Sequence, residues 1–97
     1  MFEITFTPES VEDLRILRKT DQQKVLTAVA AQLIHQAVDE TRNRKRLRPN
    51  ELAEWELRVG DCRVFYDADE VSAVVKIVAV GYKQGNKLFI HGEEFEL

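Results

Sequence analysis

The sequence has one cysteine, two prolines and four glycines among its 97 residues, and these small numbers exclude several classes of protein. The single cysteine, Cys62, permits no internal disulfide. No group of cysteine and histidine residues has the spacing of a metal site, and there is no glycine-rich phosphate-binding loop. No apolar run approaches the roughly 20 residues of a membrane span, and the N-terminal residues lack the pattern of a signal peptide. We therefore expect no metal and no cofactor, and a cytoplasmic location is the simplest interpretation.

Charge is plentiful but unevenly distributed. An apolar fraction of 44% and a charged fraction of 32% are typical of a globular protein, and residues 1–97 are predicted to form a single domain. The net charge of −3 argues against indiscriminate binding of nucleic acid. The basic residues cluster before the middle of the chain, at Arg42, Arg44, Lys45, Arg46 and Arg48, whereas the C-terminal end is acidic, with Glu93, Glu94 and Glu96. The basic segment is therefore either a solvated loop or a site for phosphate.

The stretch from Trp55 to Tyr66 predicts a β-hairpin, on which the rest of the fold depends. Gly60-Asp61 suits a two-residue type II′ turn, and this turn sets the register of the two strands. One face of the hairpin is then apolar, with Trp55, Leu57, Val59, Cys62, Val64 and Tyr66. On the other face Arg58 lies directly opposite Arg63, and like charges in that position repel. An anion bound between them is one explanation, and a solvated pair with Glu56 as an anionic neighbour is the other.

The first half of the chain predicts a strand followed by two helices. Apolar residues alternate with polar ones from Phe2 to Phe6, as in a strand with one buried face. Thr7 and Pro8 have the residue types of an N-cap and a first helical position. Residues 20–23 resemble a capping box that opens a second helix, antiparallel to the first.

The second half predicts a meander of strands. Residues 39–50 are predicted to be a connection or an irregular edge segment. After the hairpin, residues 67–70 predict a turn, residues 72–80 a central strand that Gly81 ends, and residues 87–90 a short final strand or ordered tail. The predicted fold class is α+β: a strand, a two-helix hairpin and a three-stranded antiparallel meander, with the helices on one face of the sheet and the other face partly open. Arg58, Arg63 and Lys76 are predicted on that open face.

These elements and the hairpin signature together resemble the RelE/ParE superfamily of bacterial toxins. The resemblance spans almost the whole chain and rests on Leu47-Arg48, Trp55-x-Leu57-Arg58-x-Gly60-x-x-Arg63-Val64-x-Tyr66 and Val78-x-Val80-Gly81. It implies the toxin of a type II toxin–antitoxin system, with a cognate antitoxin as partner in a hetero-oligomer. RelE-like members are ribosome-dependent endoribonucleases that cut mRNA, and ParE-like members poison DNA gyrase. We expect the ribonuclease; a gyrase poison and a catalytically decayed binding module are the alternatives.

The resemblance also implies candidate site residues. RelE-like nucleases use no metal: basic side chains hold the scissile phosphate while the neighbouring 2′-hydroxyl attacks it, and another group carries the proton. The residues implied as catalytic are Arg63, Arg58, Glu56 and His91. The residues expected to contact RNA are Arg48, Arg46, Lys45, Arg44, Lys83 and Tyr82. Two positions differ from RelE: Glu56 stands where lysine is frequent, and Phe89 aligns with the C-terminal tyrosine.

The antitoxin is expected to use the basic segment and the apolar residues beside it. Leu47 and Leu52 are the candidates for that contact, since exposed apolar surface beside charge often marks an interaction site. The alternative is that both leucines anchor the segment to the core.

Overall fold

The computed structural model describes residues 1–96, in which two helices pack on one seven-stranded sheet. The elements in chain order are β1 (Glu3–Phe6), α1 (Pro8–Arg15), α2 (Lys19–Gln36), β2 (Arg44–Arg46), β3 (Trp55–Val59), β4 (Cys62–Asp69), β5 (Val74–Gln84), β6 (Lys87–Ile90) and β7 (Glu93–Phe95). The predicted α+β class, with a leading strand, a helical hairpin and an antiparallel meander, is confirmed.

The sheet is organised around β5. Strands β2 to β7 are antiparallel neighbours in chain order. The first half of β5 also pairs with β1, in parallel, from Glu3 opposite Val74 to Phe6 opposite Ile77. The second half pairs with β6, where Tyr82 lies opposite Phe89. Strands β1 and β6 therefore lie on the same side of β5, one after the other.

Helix α1 begins as predicted, and α2 does not. The Thr7 hydroxyl accepts a hydrogen bond from the amide of Ser10 at 3.2 Å, and Pro8 occupies the first turn. The predicted capping box at residues 20–23 is wrong, because α2 already begins at Lys19. The side chain of Gln22 instead binds the end of the preceding helix and the residues after it: its Nε2 donates to the Arg15 carbonyl at 3.4 Å and to the Leu17 carbonyl at 2.9 Å.

The β3–β4 hairpin has the predicted register. Arg58 lies opposite Arg63 and Trp55 opposite Tyr66. Gly60 has φ = 59°, the left-handed conformation that the first central residue of a type II′ turn requires. The apolar face packs against α2 to form the main core, which contains Val25, Val29, Leu33, Trp55, Leu57, Val64, Tyr66, Val75 and Ile77. A one-residue slip would expose this whole face, so burial holds the register.

The central strand is longer than predicted. It continues to Gln84, and Gly81 lies inside it rather than ending it. A Cβ atom at Gly81 would come within 2.5 Å of the Phe89 carbonyl oxygen and 2.9 Å of Cγ1 of Ile90. Glycine is required here because β6 approaches the backbone closely. The turn predicted at residues 67–70 also lies later, since β4 extends to Asp69.

The sheet face opposite the helices is less open than predicted. Two short strands, β2 and β7, extend the sheet at its edges. A second apolar cluster buries Phe65, Ala79, Ile90 and Ala53, with Leu47, Leu52, Leu88 and Phe95 packed against it. Leu47 and Leu52 are half-buried against this cluster, which supports the alternative that both leucines anchor their segment to the core.

Candidate nucleic-acid interface

A groove of about 810 Å³ crosses the sheet face opposite the helices. We call it the cationic groove. Its basic side chains are Lys45, Arg46, Arg48, Arg58, Lys83 and Lys87, and its carboxylates are Glu56, Glu94 and Glu96. Of these, the side chains on the groove face by strand alternation are those of Lys45, Arg58 and Lys83 with Glu56. With Arg48 of the adjoining segment, four cations against one carboxylate leave an excess of three positive charges, whereas the whole chain carries −3. Positive charge is thus concentrated on this face, in the form that attracts a polyanion.

Arg58 and Arg63 differ although they are cross-strand partners. Arg58 is exposed and lines the groove. Arg63 is only 9% exposed, and its Nη1 donates to the carbonyl oxygens of Gly60 at 2.7 Å and Cys62 at 2.9 Å. The prediction that Arg63 lies exposed on an open face beside Arg58 is therefore wrong, because its guanidinium is nearly buried. Its guanidinium holds the hairpin turn beside the groove.

The segment from Lys45 to Asn50 forms one wall. Asn50 stabilises it: its Oδ1 accepts from the amides of Leu52 and Ala53, and its Nδ2 donates to the Arg48 carbonyl at 2.7 Å. Arg46 lies over the Trp55 ring at 5.7 Å from its centroid, a cation–π contact. Arg48 and Lys45 are exposed in this wall.

Arg44 is a structural residue in this fold. It is 4% exposed, and its guanidinium donates to three acceptors: the Asp39 carbonyl at 3.0 Å, Gln32 Oε1 at 2.8 Å and Gln36 Oε1 at 3.3 Å. These bonds tie β2 to the C-terminal end of α2. The structure therefore separates Arg44 from its neighbour Lys45, which faces the groove, whereas Arg46 lies on the same face of β2 as Arg44.

Lys83 and Tyr82 lie on opposite faces of β5. Lys83 lines the groove. Tyr82 lies opposite Cys62 on the helix side and stacks on Phe89, with ring centroids 5.4 Å apart and planes 17° apart. A strand alternates its faces at every residue, so the expected pair cannot contact one ligand from the same face.

The two expected proton carriers are also separated. Glu56 lines the groove, on the same face as Arg58. Nδ1 of His91 lies 2.8 Å from Oδ1 of Asp13, a side chain of α1 that is 4% exposed. The other oxygen, Asp13 Oδ2, accepts from the amide of Val80 at 3.0 Å. This pair joins α1, β5 and the β6–β7 turn, away from the groove.

Several groove residues escaped the sequence analysis. The side formed by β6 and β7 is lined by Asn86, Lys87, Leu88, Glu94, Phe95 and Glu96. Leu88 and Phe95 share the face of Lys83, whereas Lys87 and Glu94 leave the edge of the sheet on the other face. The signal was present in the sequence: His91-Gly92 stands between the apolar run that ends at Ile90 and another apolar residue at Phe95, which is consistent with a two-residue turn between two short strands.

Three further findings bear on the site. Among residues 1–96, no group of three or more histidine, cysteine, aspartate or glutamate side chains is arranged to hold a metal ion. Neither helix of the described chain is long and apolar enough to cross a membrane. Cys62 is buried on the helix side, and burial raises the pKa of its thiol, which makes it a poor nucleophile.

Solved structures of similar fold are toxin–antitoxin complexes. The RelBE2 toxin–antitoxin complex of Mycobacterium tuberculosis contains a chain with TM-score 0.68 and 22% identity, covering 84% of this chain and 98% of that one. The archaeal RelE–RelB complex of Pyrococcus horikoshii OT3 contains one with TM-score 0.68 and 20% identity, covering 87% and 96%. At these identities the likeness concerns the fold. A search of curated proteins found no significant match to the sequence.

The sequence itself matches the family described as "ParE toxin of type II toxin-antitoxin system, parDE" over residues 4–86. The matched region runs from β1 into the turn after β5, and so includes both helices and the β3–β4 hairpin. The chain belongs to this family of the RelE/ParE superfamily and is the toxin of a type II toxin–antitoxin system.

Proposed function

We propose that this toxin is a ribosome-dependent endoribonuclease that cuts mRNA without a metal and thereby inhibits translation in the cytoplasm. The cationic groove is the observation that carries the proposal. It gathers basic side chains from β2, β3 and β5 around the carboxylate of Glu56. Cations around a scissile phosphate stabilise the charge that develops when a 2′-hydroxyl attacks it.

Each groove residue has a role in this proposal. Arg58 contacts the scissile phosphate, while Arg48 and Lys83 hold the RNA backbone on either side of it. Lys45 extends the phosphate path along β2, while Arg46 contacts Trp55 on the other face of that strand and holds it in place. Glu56 accepts the proton of the attacking hydroxyl, since it is the carboxylate on the same strand as Arg58. Arg63 donates to the Gly60 carbonyl and thereby keeps the hairpin turn and Arg58 in position. His91 has a structural role, because its contact with Asp13 joins the β6–β7 turn to α1.

The second candidate function is gyrase poisoning. The matching family is described by its ParE toxin, and that description favours this alternative. A gyrase poison requires no phosphate chemistry, so it would use the basic residues as a docking surface only.

Expression of the toxin, followed by mapping of transcript ends on translated messages, tests the proposal. We expect growth arrest with new ends within messages that ribosomes are translating, and loss of both effects in Arg58→Gln. Lys76→Gln is the matched control, because Lys76 is an exposed cation on β5 that lies outside the groove lining. Growth arrest with broken DNA and intact messages would instead establish the gyrase poison. A chain that leaves growth, messages and DNA intact would be a decayed binding module.

We further propose that a cognate antitoxin binds this toxin and neutralises it. The solved structures of similar fold are complexes with antitoxins, and they support this partner. Co-purification of the toxin with the product of the adjacent gene tests the proposal. A toxin recovered alone, and harmless at high expression, would contradict it.

A further inference from the structure

The cationic groove has an apolar wall on the side of the last two strands. Leu88 lies opposite Lys83 on one side and opposite Phe95 on the other, so all three side chains are on the same face of the sheet. Leu88 and Phe95 are half-buried, and both line the groove while packing against the second apolar cluster. Within the described chain, Phe95 is the one aromatic residue of the groove lining.

This apolar wall stands beside the cations of the groove. Neighbouring strands are about 4.8 Å apart, so Lys83, Leu88 and Phe95 occupy three consecutive positions across about 10 Å of sheet. Arg58 lies on the same face as Lys83, two strands further along the sheet. A nucleic-acid strand has the matching chemistry, because each nucleotide carries an anionic phosphate and a base with a π-face. Cations next to an aromatic ring therefore complement a nucleotide better than they complement a simple anion.

The β6–β7 hairpin holds the apolar wall in a fixed position. Ile90 is 2% exposed in the second apolar cluster, and Phe89 stacks on Tyr82 on the other face of the sheet. The contact between His91 and Asp13 joins the hairpin turn to α1. A ring that is already ordered loses little conformational entropy when a ligand stacks on it, and this favours binding.

We propose that Phe95, with Leu88 beside it, is a stacking platform for one unpaired base of an RNA strand whose phosphates contact Arg58 and Lys83. This inference rests on the proposed function only in naming RNA as the ligand of the groove. Stacking on an aromatic ring requires a free base face, and in a duplex the neighbouring bases cover both faces. The platform therefore selects single-stranded over double-stranded RNA, although the cations attract the phosphates of both.

The experiment compares Phe95→Leu with Phe89→Leu, which makes the same change on the neighbouring strand but on the opposite face of the sheet. Two fluorescent probes of about ten nucleotides are used: a single-stranded RNA, and a strand with the same sugars and phosphates but no bases. Stacking of one base contributes a factor of roughly five to a hundred, so Phe95→Leu should bind the RNA at least about fivefold more weakly than the wild type. Its affinity for the base-free strand should be unchanged. Phe89→Leu should bind both probes as the wild type does.

Two further variants distinguish stacking from packing and from charge. Phe95→Trp keeps an aromatic ring and should bind the RNA at least as tightly as the wild type. Lys83→Gln should weaken binding of both probes and reduce the slope of log K against log salt by about 0.7, the contribution of one phosphate contact to a single strand. Phe95→Leu should leave that slope unchanged, because it removes no phosphate contact.

Three results would overturn the inference: an equal loss for both probes in Phe95→Leu, no loss for the RNA, or an equal loss in Phe89→Leu. The outcomes also separate it from the proposed function. If the toxin cuts no message on ribosomes but Phe95→Leu loses affinity for the RNA alone, the nuclease proposal fails and the stacking platform stands. If the toxin cuts messages but Phe95→Leu binds both probes as the wild type does, the nuclease proposal stands and the stacking platform fails.

Discussion

Arg58 and Arg63 lie directly opposite each other in the β3–β4 hairpin, yet their guanidinium groups have different surroundings. Arg58 is exposed in the cationic groove, and Arg63 donates to the carbonyls of the hairpin turn. Since Arg63 turns towards the backbone, the two charges do not have to point at one another. The hairpin thereby tolerates a pair that would otherwise repel.

The two arginines should respond differently to substitution. Arg58→Gln should lower single-turnover cleavage on saturating ribosomes by about 10²-fold, the usual cost of losing one transition-state donor, with the free energy of unfolding unchanged within about 0.5 kcal/mol. Arg63→Gln should lower that free energy by roughly 1–3 kcal/mol, since it removes charged hydrogen bonds from a nearly buried site. Urea unfolding and cleavage assays measure the two quantities. A large loss of cleavage at unchanged stability in Arg63→Gln would give Arg63 the direct phosphate contact that the sequence predicted.

Substitutions of Arg44 and Lys45 should affect different properties, stability for Arg44 and RNA binding for Lys45. Arg44→Met removes three hydrogen bonds, and we expect the free energy of unfolding to fall by roughly 2–3 kcal/mol. Lys45→Met, at the exposed neighbouring position, should change it by no more than about 0.5 kcal/mol. Lys45→Met should instead weaken RNA binding in a salt-dependent way. Equal stability of the two variants would contradict the structural role of Arg44.

Asp13 and His91 should be energetically coupled. Asp13→Ala leaves the Val80 amide without its acceptor and should cost roughly 1–3 kcal/mol of unfolding free energy. His91→Ala should cost less, because its side chain is 44% exposed. A double-mutant cycle measured by urea unfolding should give a coupling of at least about 0.5 kcal/mol. A coupling of zero would mean that the contact contributes nothing to holding the hairpin.

Because the Tyr66 hydroxyl is buried, we expect the protein to lose stability at high pH. Burial raises the pKa of its hydroxyl well above the ordinary value near 10, and that hydroxyl donates to the Ala37 carbonyl at 2.7 Å. Above pH 10 the unfolded chain loses this proton while the folded chain keeps it, so the free energy of unfolding should fall as pH rises. Tyr66→Phe should be less stable at neutral pH but should show a shallower decline above pH 10. Parallel declines in urea unfolding would contradict this assignment.

Strand register could be predicted from the sequence where a turn signal and an alternating apolar pattern agree. The β3–β4 register follows from a two-residue turn with an apolar face, and both the turn and the core enforce it. The edge strands β2 and β7 were missed because each contains only three residues, too few for a periodic signal. The prediction that Gly81 ends the central strand was wrong. A glycine is required at this position because the Phe89 backbone approaches it closely, and local sequence does not reveal such a contact between strands.

Part of the candidate site was predictable for the same reason. Arg58 and Glu56 follow from the hairpin register, and Lys83 was expected from the family resemblance. Arg44 and His91 were assigned by residue type and chain position, and their actual partners are distant in sequence: Gln32 and Gln36 for Arg44, and Asp13 for His91. Whether a basic side chain faces a ligand or a buried acceptor depends on such tertiary contacts.

The parallel pairing of β1 with β5 has a consequence for synthesis of the toxin. Glu3 pairs with Val74, so the first strand has no partner until most of the chain has left the ribosome. Pairings so distant along the chain form slowly, and chain termini that wait for them stay exposed. The groove also needs Lys83, which is made later still. We therefore expect a nascent chain to remain harmless almost until release, which gives a partner protein time to meet it before the toxin is complete.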